Sequence, residues 1–216
     1  MVMYYQGEIK RSRKSVKGYV FEVHVPDYKP SQKKVSTIVT IGIDDGRKIS
    51  PGQQSILHCF FGEIARATGH TKREIKEYLK DEFARESDIC EFSLSTVDMT
   101  TARHFIEHVL EFMFFHGIEV SQKVQALAKG VGNHLYLCLK FRTCACCWEL
   151  AEVHHIDAIG MGRDRTQANH AEHRLIALCR KHHDEAHSSG WTGFSLKHHV
   201  AGLKLNEQTI KELGIK

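Results

Sequence analysis

Between Cys144 and His187 the chain packs Cys144, Cys146 and Cys147, then the pair His154-His155, then Cys179-Arg180-Lys181-His182, and finally His183 and His187. A segment this short cannot build a sufficient apolar core by itself, so a metal or a cross-link has to help hold it. Cys144 and Cys147 have two residues between them, and Cys179 and His182 repeat that gap. Two such pairs supply four ligands to a tetrahedral Zn²⁺, whose binding energy is then folding energy. Cys146 leaves the pairing open, because Cys144-x-Cys146 is a competing gap, although the tight turn of a knuckle favours the wider one. Unligated cysteines in a small core would have no need of two matching gaps. Cys59 and Cys90 stand alone in or beside helical stripes and read as small buried hydrophobes.

Four histidines are left over. Strand alternation through Glu152-Val153-His154-His155-Ile156 sends the two imidazoles to opposite faces, so they cannot serve one ion equally. One can ligate while the other faces a substrate. His183 and His187 are four apart, which on a helix places them on one face, where they can share an ion with His154. Three protein ligands leave coordination positions open, the arrangement of a catalytic rather than a structural ion. His198 and His199 follow the cluster and read as structural or exposed.

With seven cysteines and no charged-then-apolar leader at its start, the chain fits a reducing cytoplasm, where cysteine runs are read as metal ligands before disulfides. The richest apolar run, Val109 to Phe115, is interrupted by Glu111, so no membrane partner is expected. The formal charge is +4 overall but uneven, near +5 over residues 1–50, −5 over 51–120 and +4 over 121–216. Basic ends flanking an acidic middle are compatible with a polyanionic partner.

The amino-terminal third alternates as strands do. Tyr19, Phe21, Val23 and Val25 share one face, and Val35, Thr37, Val39, Ile41 and Ile43 another, giving two or three antiparallel strands. Lys29 to Lys34, containing Pro30, is a basic loop between these two faces, and Arg11, Arg13, Lys14 and Lys17 crowd the loop before the second strand. From Ser50 the period becomes helical. One helix of about four turns carries Ile56, Leu57, Phe60, Phe61 and Ile64. Thr71-x-x-Glu74 is a capping box for a second helix with Ile75, Tyr78, Leu79 and Phe83 inward. Asp98 or Thr100 caps a third with Phe105, Ile106, Val109, Leu110 and Met113 buried, stopped at Gly117. Leu135 to Phe141 reads as a short apolar strand leading into the cysteines. The boundary between an amino-terminal domain (1–128) and a carboxy-terminal one (134–216) falls near Ala128 to Asn133, where Gly130 and Gly132 loosen the chain. The fold class is α+β.

The series Cys-x-x-Cys, Val-His-His-Ile, Gly160-Met161-Gly162, Leu175-Ile176-Ala177-Leu178 and Cys-x-x-His-His-x-x-x-His resembles the HNH (ββα-metal) endonuclease family in its zinc-stabilised form, over about residues 140–190. The resemblance implies a β-hairpin and helix holding one divalent ion over a scissile phosphate. It assigns His155 as general base and His154, His183 and His187 as ligands of a catalytic Mg²⁺, Mn²⁺ or Ni²⁺. Cys144, Cys147, Cys179 and His182 become the structural zinc set. Neutral imidazole suits a base at physiological pH, and a divalent ion suits charge developing on a phosphate, so the products would carry 5′-phosphate and 3′-hydroxyl ends. Arg163 and Arg165 are candidates for phosphate contacts. The family's middle Asn, which ties the two arms of the motif together, falls on Arg174, so either Asn169, His173 or Arg174 itself replaces it or the brace is absent.

Ser50-x-x-Gln53, then Ser95-Thr96-x-x-Met99 before a helix with Phe105 and a stop at Gly117, is similar over about residues 40–120 to the phage lambda Orf (NinB) family of recombination mediators. That likeness implies a dimer that binds single-stranded DNA and a single-strand-binding protein, with Arg11, Arg13, Lys14, Lys33 and Lys34 on the DNA surface. Both halves then point to DNA, single-stranded or branched, in the cytoplasm of a bacterium infected by phage. The rival reading is a non-catalytic mediator in which the Cys/His segment is only a zinc-stabilised grip, needing one ion per chain rather than two. A zinc nucleobase deaminase is excluded, because no Glu stands two residues after His154 or His155 and Thr143 rather than Pro precedes Cys144. A restriction or homing enzyme stays open as a reading, but no separate sequence-reading domain is evident in the sequence.

Overall fold

The computed structural model of this protein describes residues 8–15, 18–25, 46–87, 92–157 and 170–215. Its elements are α+β: an antiparallel hairpin β1 (Glu8–Ser15) and β2 (Gly18–His24); helices α1 (Pro51–Thr68), α2 (Lys72–Ser87), α3 (Met99–Phe115), α4 (Gln122–Ala128) and α5 (His134–Lys140); then β3 (Glu152–His155), β4 (Arg174–Leu178), α6 (Arg180–His198), β5 (Leu203–Lys204) and α7 (Glu207–Glu212). The second sheet has the order β3-β4-β5, antiparallel throughout. Among the described residues no helix is long and apolar enough to cross a membrane.

Local chemistry starts these helices where the capping signals stand. Ser50 caps α1 through a reciprocal box with Gln53, whose side-chain amide also donates to Met99 O at 3.0 Å and so ties α1 to the start of α3. Thr71 and Glu74 form the same box ahead of α2, and Asp98 Oδ1 accepts from the Thr100 and Thr101 amides at 3.0 and 2.8 Å at the head of α3. The inward stripes meet in an aromatic centre where Phe105 lies 5.3 Å from Phe83 and 6.2 Å from Phe61. Glu63, buried in α1, accepts from the Ser121 hydroxyl at 2.6 Å and pairs with Arg66, which satisfies its charge and pins α4 to the helical layer.

Three expectations change. Tyr78 is half exposed rather than inward, lying edge-on to Phe112. Arg11, Arg13 and Lys14, placed in a loop, lie in the strand Glu8–Ser15, which pairs with β2 in the register Ile9 to Val23 and Ser12 to Phe21, with a bulge between Ile9 and Arg11. Leu135 to Phe141 belongs to a helix rather than a strand. The i, i+4 contact between His134 Nε2 and Cys138 Sγ (3.6 Å) and the burial of Leu137, Cys138 and Leu139 place α5 against α3 on one side and β4 on the other. An apolar run that short fits either period, and packing decides it. The strand expected over Val35 to Ile43, the basic loop with Lys33 and Lys34, and Cys90 lie outside the described residues.

From Leu175 to Leu178, β4 is buried at every position, as a strand covered on both faces must be. The buried side chains from Ile49 to Ile215 form one cluster, so the cysteine and histidine segment shares its core with the helices. A Cβ on Gly202 would stand 2.1 Å from Ile156 Cδ1 and 3.0 Å from Arg174 Cβ, so glycine lets the chain entering β5 lie across the ends of β3 and β4.

Candidate functional site

Two clusters of side chains able to hold a metal ion draw on the first turns of α6. Cys179 is the N-cap of that helix, and successive residues His182 and His183 leave it in different directions. His182 turns to the cysteines. Its Nδ1 lies 3.5 Å from Cys144 Sγ, 3.5 Å from Cys147 Sγ and 3.1 Å from Cys179 Sγ, and the Cys147 and Cys179 sulfurs are 3.7 Å apart. A tetrahedral Zn²⁺ with sulfur at about 2.3 Å and nitrogen at about 2.0–2.1 Å would give edges of about 3.8 Å between sulfurs and about 3.6 Å from sulfur to nitrogen. The donor set and spacing therefore fit that ion.

The knuckle is built by the turn after α5. Cys144 N donates to Glu149 O at 2.7 Å, Trp148 N to Cys144 O at 3.0 Å, and Ala145 N to Ala177 O at 3.0 Å, which fastens the turn to β4. Trp148 takes a left-handed φ of 66° to close it. The Cys144 thiol is held down near a pKa of about 4, first by the Cys146 thiol and then by backbone donors including the Cys179 and Cys146 amides, while burial and then the charge on Cys144 push Cys147 up to about 12. One thiolate thus forms readily and resists a second, a balance that a dication reverses. Cys146 groups instead with His182 and His198, outside the four. His198 is half-buried, set at right angles to the His182 ring at 4.9 Å, and its Nε2 lies 3.0 Å from Glu185 Oε1. His199 is exposed at the helix C-cap.

The second cluster is His154, His183 and His187, with one ligand atom of each within 4.8 Å of the others and ring centroids 4.7, 5.0 and 4.8 Å apart. His154 points inward from β3 opposite Ile176, and His183 and His187 are one turn apart on α6. The site opens outward, from buried His154 through half-buried His183 to exposed His187. Burial, then the neighbouring imidazoles, lowers His154 to about 4 and lowers His183 as well, so both present the neutral nitrogen a metal needs. His183 Nδ1 is buried with no hydrogen-bond partner, an orphan that a cation would satisfy.

His155 faces the other side of β3, half-buried. Its Nε2 is 2.8 Å from Nδ1 of His170, in the short 3₁₀ turn His170–Glu172 that leads into β4. Arg174 opens β4 and grips Asp157 just past β3: Nη2 to Oδ1 at 2.6 Å, Nε to Oδ1 at 3.1 Å, and the backbone amide to Oδ2 at 2.8 Å. Ile156 N donates back to Arg174 O at 2.9 Å. The sequence places Arg174 at the brace position without identifying Asp157 as its partner. His173 lies 6.0 Å from the His155 ring, with its own Nδ1 buried and unbonded, and Asn169, Arg163 and Arg165 lie outside the described residues.

Arg174 holds the Asp157 carboxyl near a pKa of about 2, first through side-chain hydrogen bonds and then through the amide. An unfolded Asp titrates near 3.9, so the stability this pair adds is complete above that value and is lost as the pH falls toward 2. Both side chains are more than a third exposed, so the effect is modest. Acid unfolding of the wild-type protein is expected to show extra proton uptake between about pH 4 and pH 2 that Asp157→Asn lacks. Identical acid limbs would refute the pair.

The profile of a protein family described as "Putative HNHc nuclease" matches residues 22–216. No curated protein matches the chain, and no solved structure does.

Proposed function

Since this chain belongs to the nuclease family described as "Putative HNHc nuclease", we propose that it is a divalent-metal-dependent DNA endonuclease acting on phage recombination or replication intermediates. The observation that carries the reading is the outward-opening triangle of His154, His183 and His187 with His155 on the adjoining strand position. Cys144, Cys147, Cys179 and His182 would hold a structural Zn²⁺, and the three histidines would hold the Mg²⁺, Mn²⁺ or Ni²⁺ that serves the reaction. When bound there, the second ion supplies electrostatic stabilisation of the phosphate and of the leaving oxygen.

The chain's own residues do the rest. Neutral His155 accepts a proton from water as the water oxygen forms its bond to phosphorus and the bond from phosphorus to O3′ breaks. The leaving 3′ oxygen takes its proton from solvent, giving 5′-phosphate and 3′-hydroxyl ends. Arg174 and Asp157 serve as the brace between the two arms, in the place of an amide side chain. Arg11, Arg13 and Lys14, exposed along β1, contact phosphates without reading bases, as do Lys33, Lys34, Arg163 and Arg165. The amino-terminal unit, residues 1–128, binds single-stranded or branched DNA and a single-strand-binding protein as a homodimer, and residues 134–216 cut, in the cytoplasm of the bacterial host.

The test combines metal counting with cleavage of duplex, single-stranded and branched DNA. The expected result is one tightly held zinc plus a second, weaker site, with cleavage lost when the weaker ion is dialysed away and restored by Mg²⁺ or Mn²⁺. A single ion per chain, no cleavage of any substrate and intact DNA binding would overturn the enzyme and leave a zinc-stabilised DNA-binding mediator.

A further inference from the structure

We propose that His170 is the positioning residue of His155, fixing its tautomer and ring orientation so that Nδ1 is the nitrogen that accepts the proton. The inference rests on the nuclease reading above. Its basis is the 2.8 Å contact between His155 Nε2 and His170 Nδ1, with ring centroids 5.0 Å apart.

Only one proton can lie between two neutral imidazole nitrogens that share a hydrogen bond, and its owner decides what His155 can do. If His170 donated, the single proton of neutral His155 would sit on Nδ1, and its one lone pair, on Nε2, would already be engaged. It could then take no proton from water. If His155 donates from Nε2, its lone pair is on Nδ1 and His170 accepts, with its own proton on Nε2. The second arrangement is the one a base requires. It also lets His170 stabilise the imidazolium that forms when His155 takes up the proton, the service a carboxylate gives to histidine in a catalytic triad.

The position of His170 is held by the residues that follow it. The 3₁₀ turn closes through His173 N to His170 O at 3.2 Å, and the following residue, Arg174, is locked to Asp157 two positions beyond His155. The two arms that carry the histidine pair are therefore tied together immediately beside it. Sequence spacing gives no sign of this contact, since His155 and His170 are joined by neither a strand nor a helix period.

The experiment compares DNA cleavage by wild type, His170→Ala and His170→Asn, and records imidazole ¹⁵N spectra of His155 in each. Asparagine can set its amide oxygen where Nδ1 now accepts. The expected result is kcat lower by roughly 10-fold to 100-fold in His170→Ala with KM unchanged, a part of the 10²–10⁴ that a general base contributes. His170→Asn should recover most of that loss. The spectra should show the Nε2–H tautomer of His155 in wild type and His170→Asn, and a mixture in His170→Ala. Wild-type rates in His170→Ala, beside an inactive His155→Ala, would overturn the inference and leave the nuclease standing. A folded His170→Ala whose tautomer is unchanged would overturn it too. Absence of cleavage by the wild type on every substrate would sink the nuclease reading and the inference with it.

Discussion

Serine in place of Cys179 is expected to cost the protein its tight zinc and with it the folded state of the carboxy-terminal sheet. Cys179 Sγ is 3.1 Å from His182 Nδ1 and 3.7 Å from Cys147 Sγ, two of the three edges that meet at its corner of the proposed ligand tetrahedron. It is also buried as the N-cap of α6, directly after the buried strand β4. A structural zinc contributes about 10–16 kcal/mol of apparent binding energy, against a net stability of about 5–15 kcal/mol for a whole domain. Losing one ligand of four therefore removes more than the fold can spare. Zinc content should fall from one tight ion per chain to none. Trp148, next to Cys147 in the chain and 4.5 Å from the Phe114 ring, should report the collapse of the knuckle in its fluorescence. Cys146→Ser is the control, because Cys146 groups with His182 and His198 and not with Cys144, Cys147 and Cys179. It should keep the ion. Zinc retained by Cys179→Ser and lost by Cys146→Ser would reassign the set.

The features legible in the sequence are those fixed by local spacing. Two gaps of two residues identify Cys144, Cys147, Cys179 and His182, and these four lie together. Strand alternation separates His154 from His155, and a one-turn interval joins His183 to His187. The capping boxes at Ser50 and Thr71 start helices because a side chain three residues on can reach back. What could not be read depends on packing or on distant partners. The run from Leu135 to Phe141 is a helix because α3 and β4 cover it, although the i, i+4 pair of His134 and Cys138 was a usable sign. In β1 the alternation is carried largely by arginine, lysine and serine, so hydropathy does not reveal it, and only pairing with β2 does. Ser188-Ser189-Gly190 signals a break in α6, where Gly190 takes φ 73° and ψ 152°, and a histidine helix read by periodicity alone passes over it. Asp157 and His170 meet their partners across a connection that no local rule spans.

His155→Ala should abolish most cleavage while leaving both metal clusters intact. The side chain leaves β3 on the face opposite His154, so its truncation removes nothing from the group of His154, His183 and His187 or from that of Cys144, Cys147, Cys179 and His182. Folding, zinc content and the affinity of the second ion should match wild type. Removing a general base is expected to lower kcat by about 10²–10⁴, which is about 2.7–5.5 kcal/mol of transition-state stabilisation. KM for DNA should be unchanged, because the proposed phosphate contacts lie elsewhere on the chain. His154→Ala gives the contrast: it should lose activity together with the second ion. Wild-type cleavage by His155→Ala would place the base on another residue. The pair His155→Ala and His170→Ala then separates two accounts of the histidine contact. If His170 acts through His155, its removal adds nothing once His155 is gone, and the two losses are far from additive. If His170 instead holds the fold around β4, its cost persists in the His155→Ala background and appears in thermal stability as well as in rate.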